Sequence, residues 1–341
     1  MIAAPRGRSF RIIDAFSRIV RLGEGLSQTG ALSEAAQTRA IEALKVCAEK
    51  VRKRDVTRGR YIATQACRAA SNGAEFLDRV KEETGLEFEV IPTAEEARLS
   101  VRGCSDLVDP KVKAALIFDI GGGSTELSWV RPRASGGDDA KSGGRGGLDL
   151  VAWTSLPIGV VNLSEKWGGR DISKAIYEEI VESVRTSLRE IDIDETLGPD
   201  FRAGHAHLLG TSGTVTSIAG VHLGLSRYRR DAVDGLWLDA AESRRVSERL
   251  RAMPFEVRAS EPCIGRERAD LVVCGCAILE ALLREWPSDR IRVADRGLRE
   301  GILAGLSASV RKRRRGRRHR GGKSRGNSGR NAPRTGDDAG D

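Results

Sequence analysis

The run Ala114-Ala-Leu-Ile-Phe118 ends on Asp119, and the chain then passes through Ile120 into Gly121-Gly-Gly123-Ser124. Consecutive apolar residues without alternation mark a strand buried on both faces, the kind found in the middle of a sheet with helices on each side. Such a strand points to an α/β fold, because crossover helices are what cover both of its faces. The glycines carry no Cβ, so backbone N–H groups can converge on one point and be approached closely by an anion. An Asp at the end of the strand, beside such a nest, is well placed to hold Mg2+ through water against phosphate oxygens. A tight hairpin turn is the plainer alternative, and two glycines are enough for one.

Elements alternate on both sides of this strand. After it come strands at 126–130 and 149–156, a helix over 173–192, a strand at 206–210 and a helix over 214–223. A short strand at 236–238 leads into a helix from 240 with Asp239 as N-cap, then a long helix over 267–285, a strand at 290–294 and a helix over 297–309. Residues 134–148 are nearly all Gly, Ser, Asp, Lys and Arg, and read as a flexible hairpin loop. A similar series precedes. One strand or two short ones lie within 10–20, and a turn-rich stretch from Gly23 to Gly30 follows. Ser33 caps a helix whose Ala40, Ile41, Leu44, Cys47, Ala48 and Val51 share one face. Then come a strand at 60–64, a helix at 74–84, a strand at 86–91 and a helix at 93–104. Two such units predict two lobes, residues 1–112 and 113–310, with a cleft between them and the last helix able to pack back on the first lobe.

The formal net charge of +9 suggests a basic protein, but residues 311–341 hold twelve Arg and Lys against three Asp. The remaining 45 basic and 45 acidic residues balance, so the folded body is neutral and carries a basic, Arg/Gly-rich tail that cannot bury a core. No window resembles a membrane span or a secretory signal, which predicts a cytoplasmic protein without a membrane partner. The six cysteines lack metal or redox spacing and read as small buried thiols, and His205 and His207 have no partner at zinc spacing.

Two further segments carry chemistry. Gly210-Thr211-Ser212-Gly213-Thr214 follows the apolar strand and opens a helix, so N–H groups and hydroxyls meet where the helix dipole favours an anion. Ser212 or Thr214 could equally be an ordinary N-cap. In Ile91-Pro-Thr-Ala-Glu-Glu-Ala97, Thr93 and Glu96 have the spacing of a capping box, with Glu96 reaching back to the N-cap amide. A carboxylate there could instead be a general base for an attacking water. On chemistry alone the two readings of Glu96 stand level.

Taken in order, Gly59-Arg-Tyr-Ile-Ala-Thr-Gln-Ala-Cys-Arg68, Glu95-Glu-Ala-Arg-Leu99, Asp119-Ile-Gly-Gly-Gly-Ser-Thr-Glu126, Leu156-Pro-Ile-Gly159, Gly210 to Thr214 and Arg268-Ala-Asp270 resemble the exopolyphosphatase and guanosine pentaphosphate phosphatase (Ppx/GppA) family across nearly all of residues 1–310. The resemblance implies the actin-like, sugar kinase and heat-shock ATPase fold: two ribonuclease-H-like lobes with a cleft. It implies Mg2+-assisted hydrolysis of a terminal phosphoanhydride, in inorganic polyphosphate or in pppGpp. By the same resemblance Glu96 is the catalytic base, Asp119 the metal-associated residue and Glu126 a second functional carboxylate. Gly121, Gly122, Gly123 and Ser124 form one phosphate loop, and Gly210, Thr211, Ser212, Gly213 and Thr214 the other. Arg68 and Arg268 match recurrent basic positions, open to a phosphate-binding or a salt-bridging role. Dimers are common in the family, so the resemblance leaves a homodimer open.

Against the family pattern, a first strand pair around an Asp-x-Gly-(Thr/Ser)-Asn-x-x-Arg loop is missing ahead of Met1. The expectation is a start assigned too late; a genuine short N-terminus would favour a non-catalytic protein binding polyphosphate, nucleotide or RNA. The C-terminal helical domain of long family members is also expected to be absent, and the tail to bind a polyanion, either polyphosphate or RNA, or to be merely solvated.

Overall fold

The computed structural model describes residues 1–6, 9–133 and 147–307. The hairpin loop expected at 134–148 falls mostly on 134–146, and the basic tail starts at 311; both lie outside the described residues. The described residues form ten strands: β1 Ile2–Arg6, β2 Ser9–Asp14, β3 Tyr61–Ala63, β4 Phe88–Val90, β5 Ala114–Ile120, β6 Thr125–Pro132, β7 Leu148–Leu156, β8 Ala206–Thr211, β9 Trp237–Asp239 and β10 Arg290–Val293.

Six of them form one mixed sheet in the order β7-β6-β5-β8-β10-β9. The apolar run at 114–118 becomes β5, in the interior, antiparallel to β6 and parallel to β8. In β5 every residue except Asp119 is buried, and β8 is buried throughout. At the edge, β7 alternates between exposed and covered residues for most of its length, as a strand covered on one face does. The helix Val272–Glu285 is buried from Val272 to Leu283 and packs with the helix Lys174–Arg189 in the main core. Each fully buried Leu or Ile there contributes about 1.5–3 kcal/mol. Among the described residues no helix is long and apolar enough to cross a membrane.

The N-terminal lobe holds two small sheets. β1 and β2 form a hairpin, β3 and β4 a separate parallel pair, and the two sheets flank a cavity of about 470 Å³. Leu44, Val51, Tyr61, Phe88 and Ile302 line it. Ser33 caps the helix Glu34–Lys53 by accepting the Ala36 N–H at 3.3 Å. The segment 298–307 is helical and packs through Ile302 against Ile91 and Leu99.

One helix begins later than its sequence pattern predicts. The helix expected from 267 begins at Val272, because residues 268–271 form a turn in which the Arg268 carbonyl accepts both the Leu271 and Val272 N–H groups. Short helices at Gln65–Ala69 and Val160–Trp167, unmarked by an apolar period, also form.

Candidate functional site

β5 and β8 run parallel, with Asp119 in register with Thr211, so the loops that follow them leave from the same edge of the sheet. Loops at the carboxyl ends of neighbouring parallel strands make the usual ligand crevice of an α/β sheet. Here they line a cavity of about 650 Å³ between the lobes. Of the residues singled out from sequence, Glu96, Asp119, Gly121, Gly122, Gly123, Ser124, Glu126, Ser212, Gly213, Thr214 and Arg268 line it.

The first loop is held from behind. Val160 N–H donates to Gly121 O at 3.0 Å and Val161 N–H to Gly122 O at 2.8 Å, while Asn162 Nδ2 donates to Gly123 O at 3.2 Å. The first turn of the helix Val160–Trp167 thus ties down three carbonyls in succession. The N–H groups of Gly122 and Gly123 donate to no acceptor among the described residues and are available to an anion. Gly159 packs against the Gly122 carbonyl so closely that a Cβ there would displace the loop.

The second loop opens the helix Ser212–His222. Thr211 occupies the N-cap position without a side-chain capping bond, and neither Ser212 nor Thr214 is the cap. Ser212 has φ +75°, a left-handed conformation that a non-Gly residue keeps only where its surroundings over-determine it. The Ser217 hydroxyl also lines the cavity and is buried without a hydrogen-bond partner. Arg268 lies beside this loop: a Cβ on Gly213 would sit 3.5 Å from its guanidinium Cζ. No acceptor among the described residues binds the Arg268 guanidinium.

Three residues expected in the site are not in its lining. Gly210 is a packing position, where a Cβ would come within 2.5 Å of Phe118 and 2.6 Å of Val215. Thr211 is 1% exposed, inside the end of β8. The Arg68 guanidinium donates to Ile91 O at 2.7 Å and to Gln65 Oε1 at 2.8 Å, and lies 3.5 Å from Glu96 Oε2. Its salt-bridging role is therefore the one realised in this structure.

The carboxylates are distinct from one another. Glu95 is ion-paired with Arg60 at 2.7 Å and does not line the cavity. Glu96 is 8% exposed, and its Oε2 has no hydrogen bond. The capping box is not formed, because Pro92 is the N-cap of the helix Thr93–Cys104 and Thr93 is already helical. Burial pushes the Glu96 carboxyl above its ordinary range, and the charge of Asp119 adds to this against the pull of Arg68. Glu126 accepts from Ser124 Oγ at 2.6 Å and from Ser155 Oγ at 3.0 Å. Its pKa is pushed up to about 7 by burial first and by Asp119 second.

No group of three or more His, Cys, Asp or Glu side chains among the described residues could cage a metal ion. The all-oxygen donors nevertheless suit Mg2+, which commonly takes one or two carboxylates and completes its shell with phosphate oxygens and water. Crowded carboxylates with raised pKa values are also a setting that a divalent cation relieves.

A model of the Ppx/GppA phosphatase family matches residues 1–309. The chain belongs to the Ppx/GppA family. It is thus a hydrolase acting on phosphoanhydrides. It is 28% identical over 304 residues to an exopolyphosphatase 2 of Mycobacterium tuberculosis, covering 85% of this chain and 88% of that protein. The crystal structure of the Aquifex aeolicus Ppx/GppA family member matches with a TM-score of 0.70 at 27% identity, over 90% of this chain and 93% of that one. An exopolyphosphatase of Cytophaga hutchinsonii matches with a TM-score of 0.69 at 25% identity, over 85% and 88%. The actin-like family fold accounts for the mixed sheet and for loops from β5 and β8 that face one cleft.

Four contributors to the cleft were not anticipated. Asn162 and the helix that carries it lack a sequence period, because β-branched Val160 and Val161 mask the helix. Gly159 ahead of Asn162 and Gly168 after Trp167 were the available signals. Ser155 and Ser217 carry no motif, and Arg21 is explained only by a partner 249 residues away.

Proposed function

We propose that this chain is an exopolyphosphatase, releasing orthophosphate from the end of inorganic polyphosphate with Mg2+ as cofactor. The observation that carries this reading is Glu96: a buried carboxylate whose Oε2 accepts no hydrogen bond and has only the Arg68 guanidinium 3.5 Å away, in the same cavity as two loops suited to phosphate.

The N–H groups of Gly122 and Gly123, and those at the start of the helix Ser212–His222, hold the oxygens of the terminal phosphate. Arg268 adds a guanidinium that has no partner among the described residues. Asp119 would hold Mg2+, which would supply neutralisation of oxyanion charge. Glu96 accepts a proton from the attacking water, a task suited to a carboxylate whose burial raises its pKa. Glu126 fixes Ser124, and with it the end of the first loop. The tail 311–341 serves as an accessory arm for the polyanion, through counterion release. Deleting it should remove the steep salt dependence of KM.

A second substrate, pppGpp, is favoured by the wall formed by Leu22, Leu26, Ala66 and Ala69, apolar surface that a nucleoside can cover and a phosphate chain cannot. Phosphate release measured side by side on polyphosphate and pppGpp, with Mg2+ and with EDTA, decides between them. A protein that binds polyphosphate but turns over neither substrate would overturn the enzymatic reading.

A further inference from the structure

Arg21 and Asp270 face one another across the cleft, 249 residues apart in sequence. Arg21 belongs to the stretch between β2 and the helix Glu34–Lys53, and Asp270 to the turn that precedes the helix Val272–Glu285. The pair is bidentate, with Arg21 Nη1 donating to Asp270 Oδ2 at 2.9 Å and Nη2 donating to Oδ1 at 2.7 Å. Nη2 also donates to Glu267 O at 3.0 Å, so three acceptors of one turn are gripped by one guanidinium. The two side chains are 25% and 22% exposed, which sets them apart from the solvated ion pairs on the helix surfaces.

Three observations give this contact a purpose. Arg21 has φ +48°, in the left-handed region that a non-Gly side chain occupies only when its contacts hold it there. A second tie between the lobes lies four residues on, where Gly25 N–H donates to Glu165 Oε1 at 3.0 Å. Arg268 sits in the same gripped turn, two residues from Asp270, and its carbonyl accepts the N–H groups of Leu271 and Val272. Movement of Asp270 therefore moves Arg268, whose guanidinium lies against the second phosphate loop at Gly213.

We infer that the Arg21–Asp270 fork is a strap across the mouth of the cleft, which holds the lobes together and fixes Arg268 over the bound phosphate. The inference rests on the phosphohydrolase reading for its kinetic consequence, though not for its structural one. Arg21 is a positioning residue: Asp270 neutralises its charge, and Arg268 remains the cation offered to substrate. A fork of this kind requires planar geometry at both ends, so lysine is a poor replacement.

The test compares the full chain with R21Q, D270N, the milder R21K and the charge-exchanged pair R21E/D270R. Two readouts are taken: hydrogen–deuterium exchange of peptides spanning 22–30 and 265–272, and steady-state phosphate release from polyphosphate. Both neutral variants should speed exchange in both segments and raise KM about ten-fold with kcat changed less than about three-fold, since positioning of the bound chain is lost and the water-activating group is untouched. R21K should give an intermediate KM. R21E/D270R should return exchange and KM to near the starting values, which also excludes misfolding as the cause. Unchanged exchange at 265–272 in R21Q overturns the strap. So does a raised KM in R21Q and in the exchanged pair but not in D270N, because Arg21 would then be touching phosphate itself. If the unaltered chain releases no phosphate, the functional reading fails, and exchange alone still decides the strap.

Discussion

Asp119 and Glu126 are directly paired across the antiparallel β5–β6 ladder. Side chains of such a pair share one face of the sheet, with Cβ atoms about 4.5–5.5 Å apart, so two carboxylates are brought together at the mouth of the first phosphate loop. Like charges this close disfavour joint ionisation. The sheet register, rather than any local motif, is what couples them.

Burial of Glu126 first, and this coupling second, give a signed dependence of stability on pH. The Glu126 carboxyl is raised from 4.5 to about 7 in the folded chain. Its stabilising contribution is complete below the unfolded value and is lost as pH rises through the folded one; the loss has an upper bound of about 3 kcal/mol. In metal-free buffer, Glu126→Gln should therefore be more stable than the unaltered protein at pH 8, with the difference shrinking toward pH 5. Denaturant unfolding at both pH values measures it, and an equal difference at the two would contradict the buried-charge argument.

Mg2+ should act in the opposite sense on the same cluster. A divalent cation offsets the repulsion of ionised carboxylates and binds the folded state alone, so the melting temperature at pH 8 should rise with Mg2+ concentration. Asp119→Asn should lose most of that rise. A rise of the same size in the variant would remove Asp119 from the metal site.

Glu95 and Glu96 are adjacent in sequence and should behave differently. Glu96→Gln should lower kcat by about 100- to 10,000-fold, the range for loss of a general base, while leaving polyphosphate binding largely intact. Glu95→Gln removes only a partly exposed ion pair with Arg60 and should change kcat little. Near-normal turnover in Glu96→Gln would return that residue to a structural role.

The parts of this molecule legible from sequence are those in which a short segment carries its own reason. The β5 strand, the glycine turn after it and the Ser33 cap are of this kind. Glu96 was not decidable, because base and cap differ by whether the helix starts at Thr93 or one residue later, and Pro92 settles that through its own backbone conformation. Arg68 matched a recurrent position, but its bond to Ile91 O needs the chain to return 23 residues on. The support behind the first loop comes from a helix whose β-branched start hides it. Arg21 and Asp270 had no local signature, since either residue alone reads as a solvated charge.

The two glycines of the second loop separate packing from ligand approach. A Cβ on Gly210 meets Phe118 at 2.5 Å and Val215 at 2.6 Å, both inside the main core. Gly210→Ala should therefore destabilise the fold by about 1–3 kcal/mol, as overpacking does, while the protein that remains folded keeps its KM. At Gly213 the nearest neighbour of an added Cβ is the Arg268 guanidinium at 3.5 Å, an ordinary contact with the end of a flexible side chain. Gly213→Ala should leave the unfolding free energy within about 0.5–1 kcal/mol of the unaltered protein, a Gly-to-Ala change in a helical turn being mild. The added methyl stands where phosphate oxygens must approach the helix N–H groups, so KM should rise. Denaturant unfolding and steady-state kinetics on the same two preparations test both halves. If Gly213→Ala proves to be the stability variant and Gly210→Ala the kinetic one, the assignment of the loop is reversed: Gly210 would face the ligand and Gly213 the core.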